Sequence, residues 1–498
     1  MSVFVQLALL SALLAYAPEP LFDPEARSLL FFLGVVGVWR YGWGAVHLLR
    51  ALWFRFRVFP RLRRRAEALV AAGGLSALVP ELVLVTTIYR IPPETVAASI
   101  RAALAEAART GLPTTLVAAL VEPADLRLVK TLVRSAPRGL ALRLVLLRLP
   151  PTGKRRALAA ALRAVARRCV HPDAAVVVMD GDALLTPGSL VRALPFLGSD
   201  RALAALTTDQ DARTTGGALL RAWFRLRFAR RHLLFCSLAL SRKLLAVTGR
   251  MAIYRAKIAT DPDLLARIEN DGLEHWRLGR IRFLTGEDKS TWLWILERRL
   301  PMLYVPDVRV LTVEHPPASG FFAAATPLLV RWSGNMLRGG RKALALGPGR
   351  IGPFLWWCLV DQRVSIWTPL LGPLFVLALL PRAGPSLLWA YALWILATRL
   401  VLSLGLWAVS GRIDGGWPWL LWLDQVYGAL VKGWVLFRLD RQRWTRQAIA
   451  SPNVRFAFGR EIGSSALHLL ALATLGTAVA FATGLLSSPA ALVPVFRF

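Results

Sequence analysis

The stretch Ala174 to Leu190, AAVVVMDGDALLTPGSL, constrains the fold more than any other part of the chain. Val176 to Met179 is an unbroken apolar run, so it reads as a strand buried on both faces, as in a parallel sheet covered by helices. The run stops at two carboxylates one residue apart, Asp180 and Asp182, and a Pro187-Gly188 turn follows. Ligands of open α/β sheets bind beyond the carboxyl ends of the strands, where this pair falls. In extended backbone, residues i and i+2 point the same way. The spacing therefore presents two hard oxygen donors together, suited to Mg2+ or Mn2+ shared with substrate phosphates. Gly181 between them is expected to let a phosphate approach the backbone. A solvated strand-to-turn junction has the same triplet, and D-x-D alone does not separate the two.

The surrounding pattern supports the sheet. Leu82 to Ile88 reads as a strand, Pro93 to Thr110 as a helix, Thr114 to Val121 and Leu140 to Leu149 as strands, and Gly153 to Arg168 as a helix. Repeated β-α-β predicts a mostly parallel sheet with right-handed crossovers, an α/β nucleotide-binding type of domain of roughly 230 residues.

The flanks are of another kind. Ser2 to Ala17 and Ser28 to Trp53 are apolar and lead into FRFRVFPRLRRR, Phe54 to Arg65. By the positive-inside rule this segment is cytosolic, which makes the first two spans an in-out-in hairpin. Val364 to Leu380, Leu387 to Val409 and Ser464 to Leu486 are further apolar spans. Trp417 to Phe437 is apolar but carries Asp424 and Lys432 and runs into FRLDRQRWTRQ. Read as an interfacial helix, it keeps that basic segment cytosolic and gives five spans; read as a span, it gives six. The expected organisation is a transmembrane hairpin (1–53), a basic cytosolic linker (54–80), an α/β domain (81–317) and interfacial helices (318–363). A C-terminal transmembrane region (364–498) with a cytosolic basic segment (438–463) completes it.

Composition agrees with a membrane protein that meets a polyanion. The chain is 55% hydrophobic, yet 62 Lys and Arg face 30 Asp and Glu. A net charge of +32 points to anionic lipid, nucleic acid, or a phosphorylated or acidic substrate. The basic residues are spread over helices and loops rather than gathered in an arm with interleaved aromatics, which argues against nucleic acid. Cys169, Cys236 and Cys358 are scattered, so neither a disulfide framework nor a zinc site is indicated.

Four more segments carry candidate chemistry. Lys154, Arg155 and Arg156 open a helix, where cations oppose the macrodipole unless an anion is bound; a diphosphate would answer that, a solvated basic face would not need one. Thr248-Gly249-Arg250 supplies a hydroxyl, a flexible backbone and a guanidinium suited to carboxylate or phosphate, or merely a surface arginine. Thr285-Gly286-Glu287-Asp288 precedes an expected helix, Ser290 to Leu300, after a strand-like Ile281 to Leu284. Its acids serve either as a favourable first turn or as a general base. Arg331-Trp332 fits stacking on a sugar, pairing with phosphate, or anchoring at a membrane interface.

In order, GKRRAL, VVVMDGD, TGR, TGED and RW between membrane spans resemble the processive membrane glycosyltransferases of family 2, the group of cellulose, chitin and hyaluronan synthases. TIYRIPPET (Thr87 to Thr95), TGRMAIYRA, RWSGNMLR, DQRVSIW and FRLDRQRWTRQ are most similar to its alginate-polymerising branch. The resemblance implies a GT-A fold and inverting transfer from a nucleotide sugar, GDP-mannuronate in that branch, onto a growing polysaccharide. It implies a multi-pass protein of the bacterial inner membrane, contact with lipid, and a co-polymerase partner with a cyclic di-GMP receptor domain. Asp180 and Asp182 match the metal-binding D-x-D, Lys154 the basic residue near the diphosphate, and Asp288, with Glu287 beside it, the catalytic base. Thr87 and Arg250 fall in donor-side motifs, and Arg331 and Trp332 match the R-W at the acceptor and channel entrance. The Gln of Q-x-x-R-W is replaced by Leu328, and Glu122 and Asp125 are the candidates for the family's base-binding acid. The competing readings are another family 2 synthase, a glycosyltransferase acting on polyprenyl phosphate, and a non-catalytic basic membrane protein.

Overall fold

The computed structural model describes residues 3–15, 24–442 and 457–486. The end of the first expected span and residues 443–456 of the expected basic segment 438–463 lie outside them. The chain divides into two units, Met1–Val46 with Val360–Arg441 and Asn453–Phe498, and His47–Leu359 with Gln442–Pro452.

The second unit is built on an eight-stranded sheet. In chain order the strands are β1 Leu82–Ile88, β2 Thr114–Leu120, β3 Leu142–Arg148, β4 Ala175–Asp180, β5 Ala183–Leu185, β6 Ala205–Thr214, β7 Met251–Arg255, β8 Gly272–His275, β9 Gly279–Arg282 and β10 Met302–Glu314. The sheet order is β3-β2-β1-β4-β7-β6-β10-β5, with β8 and β9 forming a separate ribbon. β1 pairs in parallel with β2 and β4, β2 with β3, and β6 with β10. β7 runs antiparallel to β4 and β6, and β5 antiparallel to β10. The sheet is mostly parallel, as expected. Val176 and Val177 are fully enclosed, each contributing about 1.5–3 kcal/mol of burial.

The helix Pro93–Thr110 forms at the expected bounds, and Lys154–Arg167 lies one residue inside them at each end. Two expectations shift. The helix placed at Ser290 to Leu300 runs Glu287–Glu297, because its two acids sit favourably in the first turn at the positive end of the dipole. The strand placed at Ile281 to Leu284 is β9, which pairs with β8 and not with the main sheet. Within the basic stretch Phe54 to Arg65, Arg63 is buried and forks onto Asp307, with Nε to Oδ2 at 3.0 Å and Nη2 to Oδ1 at 2.6 Å. That charge serves packing.

The first unit is helical. Three helices among the described residues are long and apolar enough to cross a membrane, Pro353–Ala383, Ser386–Ser410 and Phe458–Ala482. Neither Val3–Ala15 nor Trp417–Leu436 is among the three. Arg399, midway along Ser386–Ser410, donates to Tyr41 Oη at 2.7 Å and Gln425 Oε1 at 2.9 Å. A charge in such a helix demands partners of this kind.

Candidate active site

The site lies at the carboxyl edge of β1 and β4. In register, Thr87 of β1 stands opposite Asp180 of β4, and β7 begins with Met251 opposite Met179. Antiparallel β7 thus brings Thr248-Gly249-Arg250 to the end of β4, which no local pattern announces.

Lys154 is the hub. Its Nζ lies 2.5 Å from Asp180 Oδ1 and 2.5 Å from Glu287 Oε1. The side chains of Lys154, Asp180 and Glu287 are 14%, 27% and 8% exposed, so the triad is largely enclosed but open on the Asp180 side. Burial disfavours the ammonium, but the two carboxylates outweigh it and hold Lys154 well above the usual lysine range. Burial likewise opposes ionisation of Glu287, yet Lys154 and then Arg155 hold that carboxyl below its usual value. Asp288 moves the other way, raised first by burial and then by the charge of Glu287. Lys154, Thr248, Gly249, Tyr254, Glu287 and Asp288 line one pocket.

Neighbouring residues hold this geometry. Arg155 is buried and donates to the carbonyls of Ile268 (2.7 Å), Thr285 (3.3 Å) and Gly286 (2.9 Å) and to Ser290 Oγ (2.8 Å). Two of the three cations at that helix start are therefore answered by the protein itself, and Arg156 is exposed. The Thr285 hydroxyl donates to Asn335 Oδ1 at 2.6 Å, which also accepts from Arg338 at 2.7 Å. Both lie on Phe321–Ala345, the helix that carries Arg331 and Trp332. Asn335 is one turn from Trp332, so this helix is tied to the loop before Glu287. Gln442 holds the same loop from its other end, accepting from Leu284 N–H and donating to Arg282 O.

Other expected residues are distributed around this centre. Arg250 pairs with Glu314 at 2.5 Å and donates to Gln210 Oε1 at 3.2 Å, and Gln210 in turn donates to Thr248 Oγ1 at 2.6 Å. Trp332 stacks on Trp223 with centroids 5.9 Å apart, and the Arg227 guanidinium lies 4.7 Å from the Trp332 ring centroid. Arg331 is half-buried on the same helix. Glu122 is the N-cap residue and Asp125 a first-turn residue of Pro123–Arg134, which follows β2, one strand beyond β1. Burial, then the charge of Glu122, raises Asp125. Leu328, at the position of the family's Gln, is buried.

Gly181 turns the side of its backbone that a side chain would occupy toward β1. A Cβ there would stand 2.9 Å from Ile91 Cδ1, 3.0 Å from Thr87 O and 3.1 Å from Ile88 Cγ1. The missing side chain lets the turn close against β1. Gly181→Ala is expected to lower stability by about 1–3 kcal/mol, measured by thermal unfolding, because the backbone oxygen cannot yield. An unchanged midpoint would mean that the turn is loosely packed. Gly249 packs closely against the charged groups, where a Cβ would meet Lys154 Nζ at 3.1 Å, Glu287 Oε1 at 3.3 Å and Asp180 Oδ1 at 3.7 Å. Sequence reasoning passed over Gln210, Glu314, Tyr254 and Asn335; Tyr254 and Asn335 stood in quoted motifs, TGRMAIYRA and RWSGNMLR, without a role.

A mostly parallel sheet with a carboxylate pair, a buried lysine and a second acidic pair at its carboxyl edge describes a GT-A-like sugar-transferring domain. A model of "Glycosyltransferase like family 2" matches residues 80–335. The chain is 42% identical over 441 residues to "Glycosyltransferase alg8" of Pseudomonas syringae pv. tomato, covering 89% of each. It is 40% identical over 431 residues to "Glycosyltransferase alg8" of Azotobacter vinelandii, covering 86% of each. Among solved structures, a mannosyltransferase from Pyrobaculum calidifontis, in complex with GDP-Man and Mn2+, aligns with TM-score 0.43 and 20% identity over 74% of this chain and 98% of that one. The chain belongs to the family 2 glycosyltransferases.

Proposed function

We propose that this glycosyltransferase polymerises mannuronate from GDP-mannuronate by inverting transfer, and passes the polymer across the inner membrane as the catalytic subunit of an alginate synthase. The observation that carries the reading is the Lys154 bridge, which joins the carboxylate pair of one motif to the acidic pair of another across more than 100 residues. The motif set and two relatives at 40–42% identity support the branch.

In this reading Asp288 accepts the proton of the acceptor hydroxyl as that oxygen attacks the anomeric carbon, and the diphosphate leaves on the opposite face. Its raised basicity suits the task, since a carboxylate stabilised by strong partners would be a weaker base. Glu287, held ionised by Lys154, anchors the loop that presents Asp288. Lys154 places a positive charge beside the departing diphosphate. Thr87, beside Asp180 at the strand ends, and Arg250 line the donor side, Glu122 or Asp125 meets the base, and Arg331 and Trp332 stand at the acceptor.

A divalent cation fits the carboxylate pair. Asp180 and Asp182 are hard oxygen donors at the sheet edge, and Gly249 leaves the space a side chain would fill beside Asp180. Asp180 and Asp182 would hold Mg2+ or Mn2+, which would supply charge to the leaving diphosphate. Membrane lipid and a cyclic di-GMP-binding co-polymerase are the proposed partners.

The test incubates membranes containing the protein with labelled GDP-mannuronate, GDP-mannose, UDP-glucose or UDP-N-acetylglucosamine, with Mg2+ or Mn2+. Label from GDP-mannuronate alone is expected in polymer that an alginate lyase degrades. Incorporation only from a uridine-linked sugar would overturn the assignment and leave the family untouched.

A further inference from the structure

A second cationic centre lies on the helix Ala218–Ala239, where Arg231 and Arg250 meet a pair of phenylalanines. Arg231, on the helix Ala218–Ala239, has its Nη2 enclosed and without a hydrogen-bond partner among the described residues. Its guanidinium stacks over Phe235, 4.2 Å from the ring centroid, and that of Arg250 lies 5.0 Å from the Phe228 centroid. Phe228, Arg231 and Phe235 follow i, i+3, i+7 spacing, so one face of the helix presents them together. Burial pushes Arg231 down to about 10, opposed first by Tyr304 and then by Asp209 and Asp288, with the charge of Arg250 adding to the shift.

The acidic groups nearby are engaged. Asp209 accepts from Tyr304 Oη and from Arg309 Nε, both at 3.1 Å. Glu314 is paired with Arg250, and Asp288 Oδ1 accepts the Lys289 N–H at 2.9 Å. Lys289 is itself pushed down to about 8 by burial, with Arg231 adding to the effect against the opposing charge of Asp288. An enclosed guanidinium nitrogen without an acceptor is costly, and a packing role alone would be served better by an aliphatic residue. A planar fork held by an aromatic ring is suited to a carboxylate.

We propose that Arg231, with Arg250 beside it, forms the subsite that receives the carboxylate of a hexuronate at the reacting centre. This rests on the uronate reading above. The carboxylate comes either from the donor sugar or from the terminal sugar of the acceptor, both of which meet at Asp288. Arg231 is then a specificity residue, rewarding a charged sugar where a neutral hexose leaves the guanidinium unanswered.

The experiment uses the full-length protein in membranes and compares competitive inhibition by two matched pairs. The donor pair is GDP-mannuronate against GDP-mannose; the acceptor pair is an oligomannuronate against its carboxyl-reduced form. The wild type is expected to prefer the carboxylated member of at least one pair. Arg231→Gln is expected to cut that preference about 10- to 100-fold, as loss of a charged hydrogen-bonded pair does, and Arg231→Lys to keep part of it. The pair that changes identifies which sugar is read. GDP affinity, unchanged in both variants, reports that the site is folded. A wild-type preference that survives in Arg231→Gln, or a GDP affinity that falls along with it, overturns the subsite and leaves the uronate reading standing. Absence of any preference in the wild type overturns the uronate reading, and the subsite with it.

Discussion

Asp288→Asn is expected to lower sugar transfer by about 10²–10⁴-fold while leaving the protein folded, because it removes the proton acceptor and keeps the shape. The wild-type pH profile carries the same signature. Burial and then Glu287 raise Asp288, so its ionised form is lost at a higher pH than for an ordinary aspartate of about 3.9. Activity under kcat/KM conditions should therefore fall on acidification through an apparent pKa above that value, and the limb should vanish from the residual rate of Asp288→Asn. Stability has the opposite sign at its neighbour. Glu287 is held below its unfolded value, so its contribution is present above that value and is lost as pH falls through the folded one. Acid inactivation that precedes any acid unfolding is the expected order. A variant of near-normal activity would assign the base elsewhere.

Lys154→Met is expected to cost both stability and turnover. It leaves Asp180 and Glu287 without the ammonium that each meets at 2.5 Å, and stranding partners of a buried ion pair costs about 3–5 kcal/mol. The melting temperature should fall, and transfer should fall further than unfolding explains, since the charge beside the leaving group is gone. Combining it with Glu287→Gln separates the two. The double variant should recover part of the melting temperature, because one stranded carboxylate is removed, and none of the activity. Recovery of activity along with stability would reduce Lys154 to a structural tie.

The local elements of the site were legible because they follow from side-chain period. Val176 to Met179 announces a strand enclosed on both faces, and Asp180 lies where such a strand must end. Pro93–Thr110 is bounded by a proline start and a glycine stop that the sequence displays. The acids of TGED were recognised, although whether they cap a helix or do chemistry was open, and they do occupy a helix's first turn. That Gly181 is held against β1 gave no signal, since its neighbours Thr87, Ile88 and Ile91 lie about 90 residues away in the chain. Arg155 and Asn335 gave no signal of their roles, since their partners lie far along the chain.

From the sequence alone came the buried strand with its paired carboxylates, the alternation that makes a mostly parallel sheet, and the apolar helices on either side. These depend on the periodicity of adjacent side chains, which the chain states directly. Tertiary structure alone decided that β7 runs antiparallel and carries Gly249 to the end of β4. It also decided that Lys154 spends its charge on Asp180 and Glu287 at once, and that Nη2 of Arg231 is enclosed without an acceptor among the described residues. Strand order and charge pairing are settled by which distant segments exclude water from one another, and no local period encodes that.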